Sequence, residues 1–175
     1  DAFLHSMEMD LYKNQYTDSS YDEYIYGSAE VVGLMCLRVF CEGDTAEYDR
    51  LRAGAKRLGA AFQKVNFLRD IKSDFQERGR TYFPDVDFAN FTLEDKKAIE
   101  NDIQADFDAA LRGILELPKG AKGGVYLAYK YYTNLFAKIK RANAARVKQE
   151  RIRVNDTKKV YLLFSSAVKH SFNML

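Results

Sequence analysis

Proline occurs only twice in the 175 residues and glycine ten times. With so few breakers the chain lacks the frequent turns of an all-β domain, and apolar residues recur at helical spacing almost throughout. Strand-like alternation is hard to find. Long apolar runs are also missing. The longest, residues 31–37 and 160–164, end in charged or polar residues, well short of the roughly eighteen residues of a membrane span. Cysteine is limited to Cys36 and Cys41, five apart on a predicted helix and so about 140° round its axis. They cannot bridge to each other, and two unpaired thiols point to a reducing, cytoplasmic setting. The only histidines, His5 and His170, stand alone, without metal-ligand spacing around them.

Charge of one sign is not in excess either. A net charge of +2 implies no partner by itself. Residues 138–159 do carry nine Lys or Arg against Glu150 and Asp156. Without a nucleic-acid-binding signature this run reads as a solvated helix face, and nucleic acid is a poor fit. Peripheral contact with an anionic membrane surface is the remaining alternative for it.

What is present is a core. The composition is 47% apolar and 14% aromatic, which suits one folded domain over residues 1–175. The pattern predicts an all-α bundle without repeats or linkers. A first helix ends near Lys13, residues 16–20 form a polar joint, and a helix covers 21–41. Glu42-Gly43-Asp44 stops it and starts a long helix over 45–76. A loop through Pro84 leads to a helix capped by Thr92, with Glu94 and Asp95 in its first turn, running to about Arg112. Leu117-Pro118-Lys119-Gly120 is the next break, before a helix over 121–148. Asn155-Asp156-Thr157 then caps a terminal helix.

The most informative stretch is residues 63–84. Gln63, Asn66, Asp70 and Asp74 are spaced three, four and four apart, which places them within an arc of about 80° on a helix. The other faces carry Phe62, Val65, Leu68 and Ile71. Two carboxylates beside apolar neighbours need a partner for their charge. Lys64, Arg69, Lys72 and Arg78 offer surface pairs worth little each. Mg²⁺ is the sharper candidate, because it takes one or two carboxylates and completes its shell with water and phosphate oxygens. Asn66, Asp70 and Asp74 are then the metal ligands, and Asp70 and Asp74 the catalytic residues.

These residues also carry a resemblance. The string Q-x-x-N-x-x-R-D-x-x-x-D, followed by R-G-R-x-Y-x-P from Arg78 to Pro84, resembles the second aspartate-rich motif of the squalene/phytoene synthase family. Tyr24-Ile25-Tyr26-Gly27-Ser28-Ala29-Glu30-Val31-Val32-Gly33 resembles the family's Y-x-Y-G-x-A-G-x-V-G segment, which lines a prenyl pocket. Glu30 stands where glycine is usual, and its carboxylate is expected to point away from hydrocarbon. Met7-Glu8-Met9-Asp10-Leu11 is similar to a family helix end, with Asp10 read as structural. Asp18 and Asp22 also spell D-x-x-x-D, but they flank the polar joint and read as a decoy. Gly59, one turn before Gln63, serves either a ligand lying along the helix or close helix packing.

The resemblance spans nearly the whole chain. It implies the isoprenoid synthase fold, in which helices surround an apolar cavity with Mg²⁺ at its mouth. It implies head-to-head (1′-1) coupling of two prenyl diphosphates. Tyr24, Gln63, Asn66, Arg69 and Arg151 become substrate-binding residues, with Lys158 a weaker candidate for the diphosphate. R-G-R-x-Y-F-P is closer to the phytoene synthase branch, favouring geranylgeranyl diphosphate. Farnesyl diphosphate, giving squalene or dehydrosqualene, is the alternative, and NADPH is implied only for squalene. No G-x-G-x-x-G is present, which weighs little in a family without a dinucleotide-binding fold.

The family's first aspartate-rich motif is not found before Gln63. The chain is therefore expected to be the C-terminal majority of a longer enzyme and inactive alone. An exposed apolar face would then associate with the missing segment or a second copy. The alternative function is a non-catalytic homologue serving as a binding or assembly factor, which would have no need of the oxygen-bearing stripe.

Overall fold

The computed structural model describes residues 1–155, Thr157, Tyr161, Ser165 and Ser166. The described residues form helices and no strand beyond an isolated bridge between Gln15 and Thr81. Helix α1 spans Ala2–Tyr12 and α2 spans Asp18–Ile25, followed by a π-helical turn, Tyr26–Glu30, and α3, Val31–Phe40. Helix α4, Thr45–Ile71, continues into a second π-helical turn, Lys72–Glu77. A 3₁₀ turn, Phe88–Asn90, precedes α5, Leu93–Leu115, then α6, Lys119–Arg141, and α7, Ala144–Gln149. None of the described helices is long and apolar enough to cross a membrane.

Local chemistry accounts for most boundaries. Glu42 and Gly43 take left-handed φ values of 48° and 93°, which ends α3. Asp44 accepts the amide of Glu47 at 3.0 Å and opens α4. Thr92 and Asp95 form the reciprocal cap that starts α5.

Two boundaries and the interior of two helices differ from the sequence reading. Residues 18–20 are helical rather than a joint, because the Ser20 hydroxyl accepts the Thr17 amide at 2.9 Å and supports a helix start there. Asp18 and Asp22 thus share one helix, both exposed. The predicted helix over 121–148 breaks at Ala142, whose backbone is extended, and Asn143 caps α7 through the amide of Arg146 at 2.8 Å. The predicted helices over 21–41 and 45–76 each contain a π-helical turn. The expected terminal helix falls largely outside the described residues, and so does Lys158.

Helix α4 is the axis of the bundle, packed by α3, α5 and α6. Ala61, Val65 and Leu68 are sealed in one core with Ile103 and Phe107 of α5 and Leu135 and Ile139 of α6. Four contacts bring backbones unusually close, Gly27 against Ala2 and Gly33 against Ala55 among them. A Cβ on Gly54 would lie 3.2 Å from the Gly113 Cα, and one on Gly59 would lie 2.5 Å from the Ala29 carbonyl oxygen. Lys64 is buried rather than a surface partner of the stripe. Its ammonium meets Asp102 at 2.6 Å and Asp106 at 2.7 Å, and Arg57 reaches Asp106 at 2.9 Å. Burial would push the Lys64 ammonium down, but these two carboxylates outweigh it and the net shift is upward.

Candidate active site

The C-terminal end of α4 positions the stripe. Gln63, Asn66 and Asp70 keep α-helical spacing, and Asp74 falls inside the wide turn that begins at Lys72. An i→i+5 turn displaces residues from the α-helical register, and here Asp74 is buried, its side chain only 11% exposed. Burial, then the neighbouring charge of Asp70, holds the Asp74 carboxyl above the ordinary carboxylate range, against the pull of Arg78 and Arg80. Arg78 pairs with it at 3.2 Å.

Asp70 is gripped from two sides. Arg69 approaches one oxygen at 2.5 Å through Nη2, and Arg151 approaches the other at 2.8 Å through Nε. The hydrogen bonds to Asp70 raise the Arg69 guanidinium, overcoming its burial. Arg151 lies in the extended segment after α7, and α7 is tied to the second π turn by a hydrogen bond from Gln76 to the Lys148 carbonyl at 3.4 Å. The chain thus brings Arg151 to Asp70 across eighty-one positions. Three guanidinium groups against two carboxylates leave this end of α4 one positive charge in excess.

One and two turns back lie Asn66 and Gln63. The Asn66 carbonyl oxygen accepts the Tyr132 hydroxyl at 3.3 Å, and the Tyr132 ring stacks on Phe62 at 3.9 Å. The Gln63 amide donates to the Ser28 hydroxyl at 3.4 Å, and that hydroxyl donates to the Tyr24 carbonyl at 2.7 Å. Tyr132 and Ser28 are site residues that sequence reasoning did not single out. Ser28 lay in the prenyl-pocket segment. Tyr132 had no sequence signal tying it to a residue sixty-six positions away.

Beyond Gln63 opens an apolar cavity of about 570 Å³, within the range of about 300–1,000 Å³ typical of small-molecule pockets. Ser28 and Gln63 form its polar end, and Phe62, Leu58, Val32 and Leu51 are among its larger apolar walls. Gly59 lines it and also packs closely against Ala29, as the helix-packing reading of that glycine expects. Glu30 does not line the cavity and pairs with Lys56 at 2.8 Å.

Tyr24 lies elsewhere. It is buried, its hydroxyl donates to Asp10 at 3.1 Å, and its ring sits among Tyr16, Phe67 and Tyr82. It is not a cavity-lining residue. Asp10 also receives Arg80 at 3.0 Å, while Tyr82 stacks on Phe67 at 3.8 Å. The trailing R-G-R-x-Y-x-P therefore anchors α1 and α4 to each other, with Asp10 in the structural role expected of it.

The chemistry of the donor set decides what cation fits. Among the described residues no group of three or more His, Cys, Asp or Glu forms an all-protein cage. The site offers two carboxylates and an amide oxygen beside an excess of positive charge. That set suits Mg²⁺ arriving with phosphate oxygens, since Mg²⁺ uses few protein ligands and keeps the rest of its octahedron for water and substrate. A cluster of paired arginines and carboxylates and an apolar cavity adjoin along one helix.

A family description for squalene/phytoene synthase matches residues 1–158. The chain belongs to the squalene/phytoene synthase family. It is 30% identical to the chloroplastic phytoene synthase of Cucumis melo, over 91% of this chain and 42% of that protein. It is 28% identical to the chloroplastic phytoene synthase of Narcissus pseudonarcissus, over 83% of this chain and 41% of that protein. The chain thus spans about two-fifths of these relatives' length. In fold it is similar to the crystal structure of squalene synthase HpnC from Alicyclobacillus acidocaldarius, with a TM-score of 0.64 and 24% identity. That match covers 80% of this chain and 57% of the other. The helical architecture is that of a squalene synthase-type isoprenoid synthase.

Proposed function

We propose that the full-length polypeptide carrying this chain joins two prenyl diphosphates head to head, with geranylgeranyl diphosphate to phytoene as the favoured reaction. One observation carries the reading: an apolar cavity whose polar end runs on, along α4, into Asn66, Asp70, Asp74 and their arginines. Asn66, Asp70 and Asp74 would hold Mg²⁺, which supplies charge neutralisation to a departing diphosphate. Arg69 and Arg151 would turn from Asp70 to the diphosphate oxygens, freeing the carboxylate as the anion arrives. Gln63 and Ser28 would border the head group, and the apolar walls would keep water from the allylic cation left when the C–O bond breaks.

The relatives named phytoene synthase and the R-G-R-x-Y-F-P segment support the twenty-carbon substrate over the fifteen-carbon one. A phytoene-type product needs only proton loss to end the reaction, whereas squalene needs a hydride from NADPH. A second carboxylate-bearing helix, from another part of the polypeptide or a second copy, would complete the diphosphate clamp.

The test is to incubate the full-length polypeptide with Mg²⁺ and either geranylgeranyl or farnesyl diphosphate and to extract the hydrocarbon. A head-to-head hydrocarbon is expected, larger in yield from the twenty-carbon substrate and abolished by EDTA. A folded polypeptide that makes no hydrocarbon from either substrate would replace this reading with that of a binding or assembly factor.

A further inference from the structure

The extended segment after α7 is held on both sides of Arg151. Residues 151–155 form no helix, and their side chains alternate. Ile152 packs against the core and Val154 is buried, whereas Arg151 and Arg153 are exposed, the two-residue period of an extended chain. Upstream, α7 is fixed by the fully buried Val147 and by the Lys148 ammonium on the Ala89 carbonyl at 2.9 Å. Downstream, the Lys138 ammonium of α6 donates to the Arg153 carbonyl at 2.9 Å and to the Asn155 side-chain oxygen at 3.4 Å. Among the described residues, Lys138 makes the one hydrogen bond to the backbone of this segment.

These anchors act differently. Burial of Ile152 and Val154 decides which face of the segment turns inward, but apolar contact is non-directional and does not fix small shifts along the chain. A shift on the order of 1 Å is enough to spoil a positioned group, and Arg151 Nε lies 2.8 Å from Asp70. The directional contact to the Arg153 carbonyl removes that freedom. Tyr132, less than two turns earlier on α6, holds Asn66. Helix α6 thus braces the donor set at two points. Lys138 stands apart from a merely solvated basic face, since its ammonium is spent on the segment and pairs with no carboxylate among the described residues.

We propose that Lys138 is a positioning residue for Arg151. By pinning the Arg153 carbonyl it keeps the guanidinium over Asp70, so that the side chain turns to an arriving diphosphate while the backbone stays in place. The inference rests on Arg151 meeting the diphosphate, as proposed above.

The test measures binding of inorganic diphosphate to the full-length polypeptide in Mg²⁺ by calorimetry, across Lys138→Met, Arg151→Gln and the double variant. Circular dichroism and Tm establish that each is folded. Lys138→Met is expected to weaken binding about fivefold, the scale of one net hydrogen bond, and Lys138→Arg to stay within about twofold of the wild type. In the Arg151→Gln background, Lys138→Met is expected to change binding less than about twofold, because the group it positions is gone.

Unchanged binding in Lys138→Met, or a Lys138→Arg variant as weak as Lys138→Met, overturns the inference while leaving the proposed function standing. So does an equal loss with and without Arg151, which would make Lys138 a source of general positive charge. A wild type that binds no diphosphate overturns the proposed function itself, and equal binding by the wild type and Arg151→Gln removes Arg151 from it.

Discussion

Asp70 and Asp74 face different costs at the same end of α4. Asp70 is satisfied by Arg69 and Arg151, and Asp74 is held in a buried turn with its pKa raised by that burial and by Asp70. A raised folded-state pKa means that the protonated form is favoured by folding. The contribution of Asp74 to stability is therefore full below its unfolded value and is lost as pH rises through the folded one. Asp74→Asn should accordingly match or exceed the wild-type Tm at pH 7, with the difference shrinking as the pH is lowered into the carboxylate range, while hydrocarbon synthesis falls at least about a hundredfold. A variant that melts lower and retains activity would make Asp74 structural. Arg151→Gln tests the other carboxylate. Removing one guanidinium from Asp70 should tighten binding of Mn²⁺ alone, read by its EPR signal, and weaken binding of inorganic diphosphate. Gln63, Asn66 and Asp70 were legible from spacing because they sit on regular α-helix. Arg151 came only from resemblance, since an ion pair spanning the chain leaves no local pattern.

The elements show where periodicity stops being informative. Helix α4 was readable over Thr45–Ile71, and so was the Thr92 cap of α5. The two π-helical turns were not, because a widened turn keeps helical composition while shifting every later side chain. Both flank the site, at Tyr26–Glu30 around Ser28 and at Lys72–Glu77 around Asp74, as π turns often do. Tyr24 shows the same limit. Its sequence segment matched a pocket pattern, but burial and the Asp10 hydrogen bond put its ring in the core. Packing of α4 against Ala29 can be tested at Gly59. Gly59→Ala forces a Cβ to within 2.5 Å of a carbonyl oxygen, and it should lower stability by about 1–3 kcal/mol. Chemical denaturation should show a reduced midpoint at unchanged slope. An unaltered midpoint would mean that α4 and the first π turn can separate freely.

At the scale of the whole molecule, an apolar cavity and an ionic cluster built on the buried Lys64–Asp106 pair lie on opposite flanks of α4. Lys64, Asp102, Asp106 and Arg57 clamp α4 to α5. Lys64→Met should cost about 3 kcal/mol by leaving Asp106 short of charge, and adding Asp106→Leu should recover most of it. Additive losses in the double variant would contradict a coupled pair. The all-α class followed from sparse breakers and helical periodicity, whereas the apolar cavity was expected only from the family resemblance. The central claim is that the end of α4 accepts a divalent cation only together with a diphosphate. It is tested most directly by titrating the full-length polypeptide with Mn²⁺, followed by EPR, with and without inorganic diphosphate. The account predicts weak binding of Mn²⁺ alone, a gain of about tenfold or more with diphosphate beyond that of diphosphate in buffer, and loss of the gain in Asp70→Asn. Equal Mn²⁺ affinity with and without diphosphate, or a gain that survives Asp70→Asn, would contradict it.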